Sequence, residues 1–318
     1  MIRKRQFISE FKSDEQIDDI FVIKNKRSVE QYKNGYKFEL RISDSSKMIQ
    51  FKYWGGHDEA KVQALYDSLE VNDVIHIKGK VNEWNNMFEI SSGEKYEIVK
   101  LQPGEYDVVD FIKKSKYSVD EMWSELMQIK DSIENQDIKA VVNYFFNNEI
   151  FAEKFKTTPA AMYIHHGWVS GLLEHTLSVT KIALGICDVH KEINKDYVIA
   201  GCLFHDMAKI EEYEMTTSIN TTVEGNLIGH VCIATSLLDE AMKKLNTPKI
   251  VRVKIIHIVI THMGEYGSNK KPSFPEALVV SMADNVDGNL THMANVITDA
   301  PEDTDFIYNK DYGNVFRR

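Results

Sequence analysis

Five apolar stretches in the second half of the chain carry imidazoles or carboxylates where a helix interior would take hydrophobic side chains. "GLLEHTLSV" holds His175 and "CLFHDMAKI" holds His205 and Asp206. "EGNLIGHVCIA" holds His230, "IIHIVITHMG" holds His257 and His262, and "VVSMADNVDGNL" holds Asp284 and Asp287. A lone histidine in such a setting is more often a hydrogen-bonded core residue than a ligand, and a lone helical aspartate is more often a cap or a surface charge. Taken together the residues read differently. A buried carboxylate needs a partner, and the runs around Asp206 and Asp284 offer no cationic neighbour beyond Lys209. Imidazoles and carboxylates projecting from separate helices are the parts of a metal site in a bundle core. Nitrogen and oxygen donors without thiolate suit Mn, Fe, Co, Ni or Zn rather than Ca. The three cysteines, Cys187, Cys202 and Cys232, lack a CxxC spacing and read as free thiols.

These residues need helices to position them. Apolar residues at three and four spacing predict helices over Gly171–Val189, Tyr197–Ile210, His230–Leu245, Lys249–His262 and Glu276–Ile297. A further helical tract begins at Ser118, where Glu121 completes a capping-box pattern. Adjacent residues on a helix point about 100° apart, so His205 and Asp206 cannot share one stripe. Both serve a single site only if something lies between them.

The first third of the chain has another character. "DDIFVIKNKRSVEQY", "YKFELRISDSSKMIQFKYW" and "NDVIHIKGKVNEWNNMFEISSGEKYEIVKL" alternate β-branched and aromatic residues, with turns at "KNG", "EWNNM" and "SSGEK". Between them "HDEAKVQALYDSLE" has helical spacing. Strands, one helix and more strands within about a hundred residues fit a small Greek-key barrel such as the OB-fold. The expected organisation is a multidomain chain: an all-β OB-fold barrel over 1–104, a linker over 105–118, an all-α helical bundle over 119–298 and a tail over 299–318.

Composition bounds the remainder. The 318 residues carry a net charge of −10, against a broad basic face for duplex binding. The acidic excess falls in the later part, as do all the histidines except His57 and His76. The N-terminus has no apolar signal segment and no apolar run is long enough to span a bilayer, so a cytoplasmic location without membrane attachment is expected.

The order His…His-Asp…Asp at His175, His205, Asp206 and Asp284 resembles the signature of the HD superfamily of metal-dependent phosphohydrolases. "LFHDMAKI" is similar to that family's HD-hydrophobic-GK block, with Ala208 where glycine is usual. The succession "GLLEHTLSV", "LFHDMAKI", "TTVEGNLIGHV", "IVITHMGEYGS", "PEALVVSMADNVDG" resembles the YhaM-type 3′-to-5′ exoribonucleases, which join an OB-fold to an HD domain. Met263 stands where that family commonly has a second histidine. The resemblance implies a metal pair, with Mn²⁺ first and Co²⁺, Fe²⁺, Ni²⁺ or Zn²⁺ as alternatives. It assigns His175, His205, Asp206 and Asp284 to one ion. Asp206 would bridge to a second ion held by His230 and His262, with His257 as a further ligand or a core histidine. Asp287, one turn from Asp284, is either an outer partner or a surface acid. Lys209 matches the lysine that faces phosphate, and with Asp206 forms the catalytic pair. His165 and His166 are placed near substrate, against ordinary loop polarity as the other reading.

On this reading a divalent ion lowers the pKa of water and neutralises phosphate oxygens. Single-stranded RNA, or DNA, would be shortened from its 3′ end to nucleoside 5′-monophosphates. OB-folds bind such strands by stacking bases on aromatics along a basic groove. Aromatic candidates are Tyr32, Tyr36, Phe38, Phe51, Tyr53, Trp54, Trp84 and Phe88, with Trp54, Trp84 and Phe88 foremost. Lys24, Lys26, Arg27 and Lys52 lie near them in sequence. Two other readings stand beside this one: an HD nucleotide or cyclic-nucleotide phosphohydrolase, and a non-catalytic single-strand-binding regulator. A homo-oligomer is compatible with the resemblance, though no residue pattern specifies one.

Overall fold

A computed structural model describes residues 1–84, 87–162, 166–264, 269–298 and 305–317, with Trp84 described by its backbone alone. The chain divides into two compact units. One comprises Met1–Lys114 with Met215–Ser218, the other Ser115–Glu214 with Ile219–Arg318.

The first unit is the expected barrel. Its strands are β1 (Gln16–Tyr32), β2 (Gly35–Ser43), β3 (Met48–Trp54), β4 (Val74–Trp84), β5 (Met87–Gly93) and the short β6 (Val99–Leu101). Helix α1 (Glu59–Ser68) lies between β3 and β4, with Asp58 as its N-cap. The strand order β1-β2-β3-β5-β4 closes through an antiparallel β1–β4 pairing, and β3 pairs β5 in parallel. Strand β1 serves both neighbours because it is long and bends. Its first half pairs with β4, its second with β2, and register shifts fall between Ile23 and Asn25 and between Arg27 and Glu30. Alternate residues fill the interior with Phe21, Ile23, Phe38, Leu40, Phe51, Ile75, Ile77 and Ile90. The barrel's unit extends past residue 104 to Lys114, because Tyr106 and Phe111 cover a second apolar cluster of Ile20, Val22, Val74 and Leu101.

The second unit is helical. Helices α2 (Val119–Asp131), α3 (Gln136–Phe146) and α4 (Glu149–Thr157) precede α5 (Gly171–Val189) and α6 (Lys195–Phe204). Ser118 caps α2 by accepting from the Glu121 amide at 3.4 Å. A one-turn α7 (Lys209–Glu212) leads into the hairpin β7 (Tyr213–Met215) and β8 (Ile219–Thr221). Then come α8 (Val223–Leu227), α9 (His230–Lys244), α10 (Lys249–Thr261) and the long α11 (Pro275–Thr298). The expected tail contains a hairpin of β9 (Phe306–Asn309) and β10 (Gly313–Phe316). Helices α5, α6, α10 and α11 surround one apolar core. Gly201 permits their approach: a Cβ there would lie 2.6 Å from Ile258 Cγ2 and 2.9 Å from Val280 Cγ2. No described helix is long and apolar enough to cross a membrane.

Two expected helices end earlier than their apolar pattern suggests. The run predicted over Tyr197–Ile210 breaks after Phe204, so His205 and Asp206 lie in a turn. His205 Nδ1 donates to the Cys202 carbonyl at 2.7 Å, the acceptor that a continuing helix would offer to the next amide. Helix α10 ends the same way, one residue before His262, whose Nδ1 donates to the Val259 carbonyl at 2.7 Å.

Candidate metal centre

The residues converge from five helices. His175 sits in the second turn of α5. Ser170 enters that helix with a left-handed φ of 68°, and Gly171 packs against the His166 carbonyl so closely that a Cβ would collide with it. His205 and Asp206 follow α6, His262 follows α10, His230 opens α9 and Asp284 lies on α11. His175 and His205 are wholly buried, and Asp206 and His262 are 2% exposed.

Each of the four imidazoles has its Nδ1 engaged. His175 Nδ1 meets Asp287 Oδ2 at 2.7 Å, and His230 Nδ1 meets Glu212 Oε2 at 2.8 Å. His205 and His262 bond backbone carbonyls. A carbonyl or carboxylate only accepts, so Nδ1 carries the proton and Nε2 is presented to the site. The Nε2 atoms of His175 and His205 stand 3.1 Å apart. His175 Nε2 is also 3.2 Å from Asp284 Oδ1, and both imidazoles lie 3.4 Å from Asp206 Oδ2. The other oxygen of Asp206 faces the second pair, 3.3 Å from His230 Nε2 and 3.5 Å from His262 Nε2. Two ligand groups face one another across Asp206, His175/His205/Asp284 and Asp206/His230/His262, and a third, His166/His175/Asp287, shares His175 through its other nitrogen; the donor atoms of each lie within 4.8 Å of one another. His230 Nε2 is buried and makes no hydrogen bond among the described residues. Buried imidazole lone pairs converging on carboxylate oxygens fit divalent cations of the transition series.

The electrostatics are those of a negative core. Burial works against the charged form of Asp206, and the Lys209 ammonium and His205 overcome it, holding its carboxyl well below the usual range. Burial likewise opposes Asp284, yet His175 and the neighbouring imidazoles bring it down to about 2. Asp287 is also depressed, with His166 and His175 outweighing its burial. His175 is the counterpart: burial would lower it, and Asp206, Asp284 and Asp287 raise it well above the ordinary histidine value.

Other expected site residues fall elsewhere. Lys209, expected to face phosphate, is 8% exposed and donates to Asp206 Oδ2 at 2.6 Å. His257 is not brought into either ligand group. It lies five residues before His262, about 140° round the helix, and its Nε2 accepts the Ser273 amide at 3.1 Å while its ring packs on Phe274. His166, expected near substrate, is 3% exposed and its Nε2 lies 2.9 Å from Asp287 Oδ2. His165 and the Trp84 side chain lie outside the described residues. Sequence reasoning missed Glu212. Its only signal was a helical offset of three from Lys209, which does not single out an acid in "KIEEYE".

Among the barrel aromatics, Phe38, Phe51 and Tyr53 belong to the core. Trp54 is half-buried, edge-on to Tyr32 at 4.9 Å, with Nε1 donating to Ser91 Oγ at 3.4 Å. Phe88 is 39% exposed. The nearby cations are engaged: Lys52 with Glu89 at 2.6 Å, Arg27 with Glu39 at 3.2 Å, and Lys26 with the Tyr66 carbonyl at 2.8 Å.

With barrel and ligand groups in place, the class is defined. Residues 172–289 match the HD domain family and residues 22–99 match the OB-fold nucleic acid binding domain family. The HD-domain match thus covers most of the helical half, the OB-fold match covers most of the barrel, and the two together are those of a hydrolase. The resemblance read from its motifs extends over nearly the whole molecule. It is similar to the 3′-5′ exoribonuclease YhaM of Bacillus velezensis, 29% identical over 285 residues, which is 88% of this chain and 87% of that protein. Two solved structures overlap it in part. The OB domain of Ta0387 from Thermoplasma acidophilum is 15% identical over 30% of this chain and 85% of its own, with a TM-score of 0.23. A replication protein A heterotrimer bound to ssDNA is 16% identical over 27% of this chain and 57% of its own, with a TM-score of 0.20.

Proposed function

We propose that this protein is a metal-dependent 3′-to-5′ exonuclease that hydrolyses single-stranded RNA, and ssDNA where offered, to nucleoside 5′-monophosphates. The observation that carries the reading is Asp206. Its two oxygens face two different imidazole pairs, which is the placement of a carboxylate shared between two cations. His175, His205, Asp206 and Asp284 would hold one ion, and Asp206, His230 and His262 the other, with Mn²⁺ the first choice. Bound there, divalent cations neutralise phosphate oxygens and bring the pKa of water toward neutrality. The 3′-to-5′ direction rests on the similarity to YhaM.

The chain's own residues supply the remaining chemistry. The scissile bond joins phosphorus to the 3′-oxygen of the preceding nucleotide. Water adds to phosphorus, and that oxygen leaves with a proton. Lys209 keeps positive charge against Asp206 and so limits the negative field that an entering phosphate meets. The apolar walls of α5, α6 and α10 exclude bulk water from the imidazoles. The OB barrel over 1–104 is the strand-binding module, with Trp54, Phe88 and Trp84 as stacking candidates. A helical catalytic domain over 119–298 completes the assignment.

The test is a 5′-labelled single-stranded RNA incubated with the protein and Mn²⁺, beside Asp206→Ala. A ladder of progressively shorter labelled products, lost in the variant, supports the reading. Intact RNA with hydrolysis of free or cyclic nucleotides replaces it with a mononucleotide phosphohydrolase. Tight RNA binding without turnover of either substrate replaces it with a binding protein.

A further inference from the structure

Asp287 does not face the four Nε2 atoms, yet it is among the most heavily bonded carboxylates of the helical unit. It is 5% exposed. Its Oδ2 takes His175 Nδ1 at 2.7 Å and lies 2.9 Å from His166 Nε2, and Ser178 Oγ donates to its Oδ1. His166 is itself confined. Its backbone is left-handed at φ 49°, Gly171 packs on its carbonyl, and Thr291 Oγ1 lies 3.2 Å from its Nε2. The ring lies tilted at 5.1 Å from Trp168, whose Nε1 donates to Glu174 at 2.7 Å. A left-handed non-glycine residue is uncommon and costs free energy, so the surrounding contacts hold this imidazole where it is. The second imidazole pair has separate supports, Glu212 for His230 and the Val259 carbonyl for His262.

We propose that Asp287 and His166 form a positioning dyad that locks His175 in the Nδ1–H tautomer, and thereby sets the cation affinity of the His175/His205/Asp284 group without governing the Asp206/His230/His262 group. The proposal deepens the metal-dependent reading above and rests on it. It assigns His166 to the outer face of the site instead of to substrate. Asp287 orients three donors at once, while His166 closes the side of the carboxylate away from Ser178.

The dyad makes an unusual prediction about size and chemistry. Asp287→Asn is nearly isosteric and would preserve packing better than Asp287→Ala. With Ser178 still donating to the remaining oxygen, however, the amide NH2 would face His175 Nδ1. Only an unprotonated nitrogen can accept there, so the proton moves to Nε2 and blocks the cation position. Alanine leaves His175 free to choose its tautomer. Outer partners of metal-binding imidazoles are worth roughly 10–100-fold in metal affinity.

The experiment is calorimetric titration of the full chain with Mn²⁺, no substrate present, with the metal-free melting temperature recorded for each variant. Wild type is expected to show two binding events. Asp287→Asn should weaken one of them by about 10–100-fold, more than Asp287→Ala does, and leave the other in place. Glu212→Gln should weaken the opposite event. His166→Ala should weaken the same event as Asp287→Asn, with recovery in His166→Gln, whose amide can still donate. Wild-type affinity in Asp287→Asn, a milder effect in Asn than in Ala, or equal loss of both events overturns the proposal. A single wild-type event removes the two-ion reading alone, and the Asn-against-Ala order on that ion still decides the dyad. No Mn²⁺ uptake by wild type overturns both.

Discussion

The Nε2 atoms of His175 and His205 stand 3.1 Å apart while the Nδ1 of each is committed to an acceptor. Two lone pairs at that distance repel, so a proton or a cation must lie between them. Without metal the proton wins, and Asp206, Asp284 and Asp287 hold His175 well above the ordinary histidine value against its burial. A divalent ion therefore enters by displacing a proton. Mn²⁺ affinity should rise by up to about tenfold per pH unit through neutrality, the limit for one proton exchanged per ion. Titrations in buffers of different ionisation enthalpy should report about one proton released. Affinity independent of pH between 6 and 8 would contradict this account.

Metal-free stability should pass through a maximum on the acid side. Asp284 is depressed from 3.8 to about 2, so its stabilisation is present above 3.8 and is lost as pH falls toward 2. His175 is raised above 6.5, so its stabilisation is complete below 6.5 and is lost as pH rises through its folded-state value. Melting in chelator should be highest between these limits. Added Mn²⁺ should move the maximum toward neutral pH.

Lys209 gives a split result. Its ammonium is 2.6 Å from Asp206 Oδ2, where it opposes cation binding and balances the negative core. In Lys209→Met, Mn²⁺ should bind at least as tightly as in wild type, while kcat falls about 100-fold, the order seen when a preorganised charge is removed from a transition state. Loss of Mn²⁺ affinity together with activity would mean that the lysine only supports Asp206. Affinity by calorimetry and kcat by RNA degradation separate the outcomes.

The barrel aromatics should divide by burial. Phe88 is exposed and Phe38 is wholly buried. Phe88→Ala should weaken single-stranded RNA binding by about 1–3 kcal/mol, the value of one stacked base, with little change in melting temperature. Phe38→Ala should instead destabilise the barrel by about 3–5 kcal/mol. Fluorescence anisotropy with a labelled oligonucleotide and urea unfolding measure the two effects. Unchanged RNA affinity in Phe88→Ala removes that residue from the binding face.

Local patterning determined a great deal. Alternation predicted the barrel strands, and apolar spacing predicted helices over Gly171–Val189, where α5 runs, and near the limits of α9, α10 and α11. The polar residues that interrupt those apolar runs were the ones to examine, because an unpartnered buried carboxylate or imidazole is costly in any fold. Periodicity could not distinguish His257 from His262. Both interrupt one apolar run, and only the point where α10 ends separates the histidine bonded to Ser273 from the one that faces Asp206.

Tertiary structure alone decided the outer partners and the division of labour at Asp206. Asp287 meets His166 across 121 residues of chain and His175 across 112, and Glu212 meets His230 across 18. Nothing near His166 in sequence marks it as the partner of an aspartate on α11. Spacing along the chain encodes which face of its own element a residue occupies. Which oxygen of Asp206 meets which imidazole depends on where four helix ends come to rest, and packing between helices sets that.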